Sequence, residues 1–296
     1  MSADDQKLLA RGRGRDHIGG MTHPSLAAPA DRARLLDALL ALAEAAGDVV
    51  WCHFTAGCAV MHKADESPVT VADREAEAVI LAGLADAAPH VPVVAEEEAS
   101  AGRIPDVDGA FFLVDPLDGT KEFVARGDDF TVNIALVEGG VPTMGVVYAP
   151  ARGALYWGDA GEGAHVAMRS PAGARGPAQR IHVRPAAAPL SAVASKSHAM
   201  PGLDGWLAAA GIANRVSIGS SLKFALVAAG EADVYPRTGP TMEWDTAAGD
   251  AVLRAAGGRT VDVDGAPFRY GKPGFRNAGF VATGGYDPAP LRSFLP

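Results

Sequence analysis

Phe111-Phe112-Leu113-Val114-Asp115-Pro116-Leu117-Asp118-Gly119-Thr120 is the stretch on which the fold turns. Four consecutive apolar residues, two aromatic and one β-branched, predict a strand that runs straight into an acidic turn. Pro116 stiffens that turn, so Asp115 and Asp118 can face one point with the Leu117 carbonyl between them. Gly119 lets backbone approach closely, and the N–H groups of Gly119 and Thr120 can form an anion nest at a helix start. Hard oxygen ligands beside an anion nest are what a metal-bound phosphate needs.

Two further acidic clusters flank this one. Val93-Val94-Ala95 runs into Glu96-Glu97-Glu98, and Glu243-Trp244-Asp245 opens a helix of small residues over 246–256 that Gly257-Gly258 can end. Carboxylates at strand ends and helix starts are where an α/β scaffold places its site. Taken singly, each acid reads as a cap or turn residue, which is the simpler account of Glu98, Glu243 and Asp250. Thr70-Val71-Ala72-Asp73 has capping-box spacing, which explains Asp73 without catalysis. Taken together, the acids read differently. Two ionised carboxylates about 5 Å apart repel by roughly 3 kcal/mol at an effective dielectric of about 20. Four or five converging acids would therefore protonate or recruit divalent cations. No His or Cys accompanies the Asp pair, so Mg²⁺ or Mn²⁺ fits better than Zn²⁺.

Around these clusters the chain predicts a mixed fold. Leu35, Leu36, Leu39, Leu42, Ala46 and Val50 recur near helical spacing, and Ala76, Val79, Ile80 and Leu84 give a second helix its apolar face. Strands are predicted over 91–95, 111–114, 131–137 and 141–148, with Glu138-Gly139-Gly140 turning between the last two. Residues 170–179, with two Pro and two Gly, read as a loop at a domain boundary. Strand-like and helix-like pieces then alternate: 192–194, the Trp206 region, 223–229, 232–235 and 246–256. That alternation predicts an α/β second half. The expected division is an extension over 1–30, an α+β domain over 31–180 and an α/β domain over 181–296.

Composition removes several function classes. The net charge of −9, with no Lys/Arg block in the body of the chain, argues against a nucleic-acid polymer as partner. The first 30 residues carry Arg11, Arg13 and Arg15 beside Asp4, Asp5 and Asp16 and read as a disordered extension, with Met21 a candidate start. They lack the apolar segment of a signal peptide, and no run reaches membrane-span length, so stable membrane insertion is not expected. The two cysteines, Cys52 and Cys58, make no disulfide framework, so a reducing, cytoplasmic setting is expected. With His53 and His62 they fit no common zinc spacing.

The sequence resembles the lithium-sensitive inositol monophosphatase superfamily in two signatures, Asp115-Pro-Leu-Asp-Gly-Thr120 and Trp244-Asp-Thr-Ala-Ala-Gly249. Within it, the sequence is similar to the bacterial 3′(2′),5′-bisphosphate nucleotidases. The residues that carry this are Lys63-Ala-Asp65-Glu-Ser67-Pro-Val-Thr-Val-Ala-Asp73, Lys121-Glu122-Phe123, Ser195-Lys-Ser-His198, Gly219-Ser-Ser-Leu-Lys223-Phe and Tyr235-Pro-Arg237-Thr-Gly-Pro240. The resemblance runs from about residue 31 to about 285. It implies a layered αβαβα sandwich, two or three Mg²⁺ ions (Mn²⁺ as a substitute), and a small phosphorylated nucleotide as substrate.

Carried over residue by residue, the resemblance implies that Glu96, Asp115, the Leu117 carbonyl, Asp118 and Asp245 bind the metals. Thr120, oriented by Asp73, would help activate the attacking water, with Glu97 in support. Gly119 and Thr120 would cradle the phosphate, and Ser195, His198, Gly219, Lys223 and Arg237 would surround the nucleotide. Glu243 occupies a position expected to be less polar, where it would alter metal affinity or point to water. The implied reaction removes the 3′-phosphate of adenosine 3′,5′-bisphosphate, giving AMP and phosphate, in a monomer or homodimer. Three competitors remain: an inositol- or sugar-phosphate phosphatase of the same superfamily, an aspartyl-phosphate enzyme with Asp115 as nucleophile, and a non-catalytic regulatory protein on the scaffold. Paired aspartates in the second class stand two apart, whereas Asp115 and Asp118 stand three apart.

Overall fold

The computed structural model describes residues 29–57, 60–62, 68–196 and 200–295. The expected extension up to residue 28, Cys58, the 63–67 part of the first nucleotidase motif and His198 lie outside these residues.

Helix α1 (Pro29–Ala56) opens the described chain; β1 (Val60–His62) and β2 (Pro68–Thr70) then pair antiparallel and deliver it to α2 (Val71–Ala87). The predicted capping box is present. Thr70 Oγ1 accepts from Ala72 N at 3.1 Å while Asp73 Oδ2 accepts from Thr70 N at 2.7 Å. Leu35, Leu39, Ala46 and Val50 of α1 and Ala76, Ile80 and Leu84 of α2 form one buried stripe, as their spacing requires.

Next come β3 (Val93–Ala95), the short helix α3 (Glu96–Ser100), β4 (Ala110–Asp118) and the equally short α4 (Thr120–Val124). They are followed by β5 (Thr131–Glu138), β6 (Val141–Ala149), β7 (Ala154–Asp159), β8 (Gly163–Met168) and β9 (Gln179–Ile181). These strands form a seven-stranded sheet in the order β3-β4-β5-β6-β7-β8-β9. Only β3 and β4 run parallel, and the rest pair antiparallel. The 170–179 loop returns to this sheet through β9, and the chain leaves it after Ile181. Strands β7 and β8 were not expected from the sequence.

The second half runs β10 (Ser191–Ser195), α5 (Leu203–Ala209), β11 (Asn214–Ile218), α6 (Leu222–Ala228), β12 (Val234–Arg237), β13 (Thr241–Met242), α7 (Ala247–Ala255), β14 (Arg259–Asp262), β15 (Arg276–Asn277) and β16 (Phe280–Thr283). Five of these strands form a mixed sheet in the order β11-β10-β12-β16-β14, and β13 pairs with β15.

Alternation along β4 explains the layering. Phe112 and Val114 point to one face, where α1 and α2 cover them; Phe111 and Leu113 point to the other. That second face packs through α6 and α7 onto Tyr235, Phe280 and Ala282 of the five-stranded sheet. The far side of the five-stranded sheet, with Ala192, Ala194, Val234 and Val281, is covered by Leu203, Trp206 and Leu207 of α5. The result is a helix–sheet–helix–sheet–helix sandwich, the αβαβα order expected. Small residues let α7 lie close on the first sheet: a Cβ at Gly145 would stand 2.5 Å from the Ala248 carbonyl. Among the described residues no helix is long and apolar enough to cross a membrane.

Candidate active site

Strand register brings the first acids together. In the parallel pair β3/β4, Ala95 stands opposite Val114, so Glu96, just past the end of β3, falls beside Asp115 of β4. The expected acidic turn is a β-bulge. Asp115 pairs with Asn133 and Asp118 with Thr131, leaving β4 one residue longer than β5 between the two pairs. Such a bulge bends its strand and re-aims side chains. Asp115 Oδ1 accepts from Leu117 N at 3.0 Å, which fixes the tight conformation around Pro116. Gly119 follows with φ of +91°, and a Cβ there would stand 2.8 Å from the Asp129 carbonyl. Only glycine fits at that point.

These residues line a cavity of about 640 Å³ whose wall includes Glu96, Asp115, Leu117, Asp118, Gly119, Thr120 and Asp245. Burial pushes the Asp115 carboxyl well up, and Glu96, Asp118 and Asp245 push it further. Burial likewise raises Asp245, with Asp118 and Glu96 adding to it. Asp118 is raised by burial, against the opposing pull of the Lys223 charge and the Ser221 hydroxyl. Among the described residues no three carboxylate, imidazole or thiolate groups close on one point; the acids are spread around the wall. The wall carries these four carboxylates and a fifth, Glu122, with no His or Cys. That donor chemistry fits a hard divalent cation, which would relieve the repulsion that burial intensifies.

Asp73 and Thr120 meet from different elements. Thr120 Oγ1 stands 3.3 Å from Asp73 Oδ1 and 3.1 Å from the Leu117 carbonyl. Both the N–H and the hydroxyl of Thr70 donate to Asp73 Oδ2 at 2.7 Å. The capping box and the contact with Thr120 therefore use different oxygens of one carboxylate. Burial raises the Asp73 carboxyl, hydrogen bonds from Thr70 oppose this, and the charge of Glu97 adds to it. Glu97 itself sits in α3 behind the cavity wall, its N–H donating to Glu77 at 2.8 Å.

The residues expected around the nucleotide divide. Ser195, Gly219, Lys223 and Arg237 all line the cavity. The Gly219 N–H is already taken, donating to Asp129 Oδ2 at 3.1 Å. Lys223 is buried, its ammonium donating to the carbonyls of Ser220 at 2.5 Å and Ile218 at 3.2 Å over the Tyr235 ring. Burial pulls it down to about 8 despite the nearby charge of Asp118. Arg237 donates to the carbonyls of Gly239 and Pro240 at 3.4 and 3.2 Å. His198 lies outside the described residues.

Two expectations change. Glu243 neither points to water nor lines the cavity. It is fully buried and accepts from the N–H groups of Gly271 at 2.7 Å and Lys272 at 3.0 Å, with the Lys272 ammonium 2.8 Å away. Asp250 is not a cap. It sits buried within α7, bonded to Thr260 Oγ1 at 2.7 Å and Arg254 Nε at 2.9 Å. Glu98 pairs with Arg103 at the surface, as a structural residue would.

Sequence reasoning missed Glu77, Asp129, Asn133 and Ser221. Glu77 accepts from the N–H groups of Glu97 and Glu98 at 2.8 and 3.0 Å and so holds the start of α3. Its one visible signal was an acid on the apolar stripe of α2, one turn after Asp73. Ser221 reaches Asp118, Asn133 and Asp245 from the Gly219-Ser-Ser turn, which was singled out for other residues.

The chain is similar to proteins already known. The model of the inositol monophosphatase family matches residues 31–286. The 3′(2′),5′-bisphosphate nucleotidase CysQ of Escherichia coli K12 is 46% identical over 249 residues, covering 83% of this chain and 98% of that protein. The protein of the same name from Salmonella typhimurium LT2 is 43% identical over 252 residues, covering 84% and 99%. A crystal structure of CysQ from Bacteroides thetaiotaomicron, described as a bacterial member of the inositol monophosphatase family, superposes with a TM-score of 0.71 at 37% identity, covering 85% of this chain and 98% of that one. Two signatures, a layered fold and a match across nearly the whole described chain agree, and the chain belongs to the inositol monophosphatase family.

Proposed function

We propose that the protein is a Mg²⁺-dependent 3′(2′),5′-bisphosphate nucleotidase that removes the 3′-phosphate of adenosine 3′,5′-bisphosphate to give AMP and phosphate. The observation that carries this reading is the Thr120–Asp73 contact beside a cavity whose wall sets Glu96, Asp118 and Asp245 against Asp115. The nucleotide specificity is supported by the relatives that carry that name.

Residues 31–180 supply Glu96, Asp115, the Leu117 carbonyl and Asp118 to two or three Mg²⁺ ions, and residues 181–296 supply Asp245 and the nucleotide contacts. Bound magnesium supplies Lewis-acid polarisation of the phosphoryl group and favours ionisation of a water molecule. Thr120 Oγ1 orients that water with a lone pair while its own proton is held toward Asp73. Asp73, raised by burial, is suited to take the proton through the Thr120 hydroxyl. Glu97 keeps Asp73 basic by its nearby charge. The N–H groups of Gly119 and Thr120 cradle the phosphate being cleaved. Ser195, His198, Lys223 and Arg237 define the nucleotide end, where carbonyls take two of the three Lys223 donors and two of the five Arg237 donors and leave the rest for the ligand. No side-chain nucleophile is needed. The exposed free thiol of Cys52 agrees with a reducing, cytoplasmic setting.

A substrate panel tests the reading. Phosphate release with Mg²⁺ should be fastest from adenosine 3′,5′-bisphosphate and far slower from inositol monophosphates or hexose phosphates. Equal or faster release from an inositol phosphate would move the protein to another branch of its family.

A further inference from the structure

Ser221 joins the two halves of the acidic site through a single hydroxyl. Its Oγ stands 2.9 Å from Asp118 Oδ2 and 2.8 Å from the backbone carbonyl of Asp245, and it accepts from Asn133 Nδ2 at 3.0 Å. Ser221 and Asn133 are 2% and 0% exposed, so bulk water does not compete for these bonds. The Asn133 nitrogen also lies 3.5 Å from Asp118 Oδ2. An amide oxygen turned that way would face a carboxylate with no proton between them, so charge fixes the orientation of the amide. A hydroxyl has one proton to give, and here two acceptors meet it: a carboxylate on the bulged end of β4 and the main chain just before α7.

Both acceptors belong to residues with a stake in the cavity. A donor to one oxygen of Asp118 leaves the other oxygen free and restricts the rotation of the carboxylate, with the strength of a charge-assisted bond. The same proton, shared with the Asp245 carbonyl, links that carboxylate to the backbone carrying Asp245, whose side chain is held by Met242 N at 2.9 Å. The two acids come from opposite halves of the chain, and β-sheet pairing does not connect them. We propose that Ser221, oriented by Asn133, is a positioning residue that sets Asp118 and Asp245 in register for a divalent cation, so that metal affinity depends on a hydroxyl that never touches the metal. This rests on the reading of Asp118 and Asp245 as metal ligands.

Calorimetric titration of Mg²⁺ into metal-free protein, without substrate, tests it in the wild type, Ser221→Ala, Asn133→Ala and the double variant. Ser221→Ala should bind Mg²⁺ about 10–100-fold more weakly, the range for groups that orient metal ligands. Asn133→Ala should lose less, and the double variant should stay close to Ser221→Ala, because the amide acts through the hydroxyl. A hydroxyl that merely fills the core would lower the metal-free melting temperature and leave Mg²⁺ affinity unchanged; that result overturns the proposal. If Ser221→Ala does not fold, Asn133→Ala carries the test, and unchanged affinity there overturns it equally. A wild type that binds no Mg²⁺ would overturn the metal reading itself, and this role of Ser221 with it.

Discussion

Glu243, fully buried, and Asp245, half-buried in the cavity wall, stand two residues apart with opposite fates. Glu243 has two backbone N–H donors and the Lys272 ammonium within hydrogen-bond reach, so its charge is balanced where it lies. Asp245 has the Met242 N–H and the charge of Arg237 on its side, but burial raises its carboxyl and the charges of Asp118 and Glu96 raise it further. A buried charge is tolerated only when paired. The balanced acid is part of the scaffold, while the unbalanced one implies a partner that the protein does not itself supply. This contrast separates site from structure better than residue type does, since both acids share one motif.

The contrast breaks most sharply on exchange to amides. Asp245→Asn should cut Mg²⁺-dependent phosphate release by more than about 100-fold, beyond the range for residues behind the ligands. It should also raise the melting temperature of the metal-free protein, since it removes a repelled charge. Glu243→Gln should behave in the opposite sense. It leaves one N–H of the 271–272 turn without its acceptor and Lys272 without its anion, and should lower stability by about 1–3 kcal/mol in denaturant unfolding. Its Mg²⁺ affinity should stay within about threefold of wild type. A large affinity loss in Glu243→Gln would show that the two acids act as one unit.

Glu77 sharpens the same comparison through pH. Burial raises its carboxyl to about 7, against the two N–H groups that favour the anion and with the charge of Glu97 behind the rise. The folded state then holds the Glu77 proton more tightly than the unfolded chain does. Its contribution is fullest below the ordinary value of 4.5 and is lost as pH climbs toward about 7. Melting curves should show wild type losing ground to Glu77→Gln between about pH 5 and about pH 7. At the small end lies Glu98→Gln. Its pair with Arg103 is solvent-exposed, and such pairs contribute little. Activity and melting temperature should barely move.

Legibility in the sequence followed locality. The Leu35–Leu39–Ala46–Val50 stripe, the Thr70–Asp73 capping box and the apolar runs of β4, β5 and β6 carry their own periodicity, and each was readable. Strand β11, at an edge and exposed, offers only Val216 and Ile218 as alternating apolar residues, and Tyr156-Trp157-Gly158-Asp159 in β7 hides its pattern behind a glycine and an acid. The acids were named from motifs, but their meeting in the wall of one cavity rests on β3/β4 register and a bulge that no single stretch encodes. Asp250 looked like a cap because its partners Thr260 and Arg254 become visible only once α7 is packed. Ser221 and Asn133 were missed for the same reason: a serine in a turn and an asparagine in an apolar strand acquire meaning only when β5 and α6 meet.

Phosphate release from adenosine 3′,5′-bisphosphate, measured with Mg²⁺, with Mg²⁺ plus Li⁺, and after chelation, tests the central claim most directly. The account predicts AMP and one phosphate per nucleotide with Mg²⁺, suppression by Li⁺, and no release once divalent cations are removed. Undiminished release in the presence of chelator, or none with Mg²⁺, would contradict it.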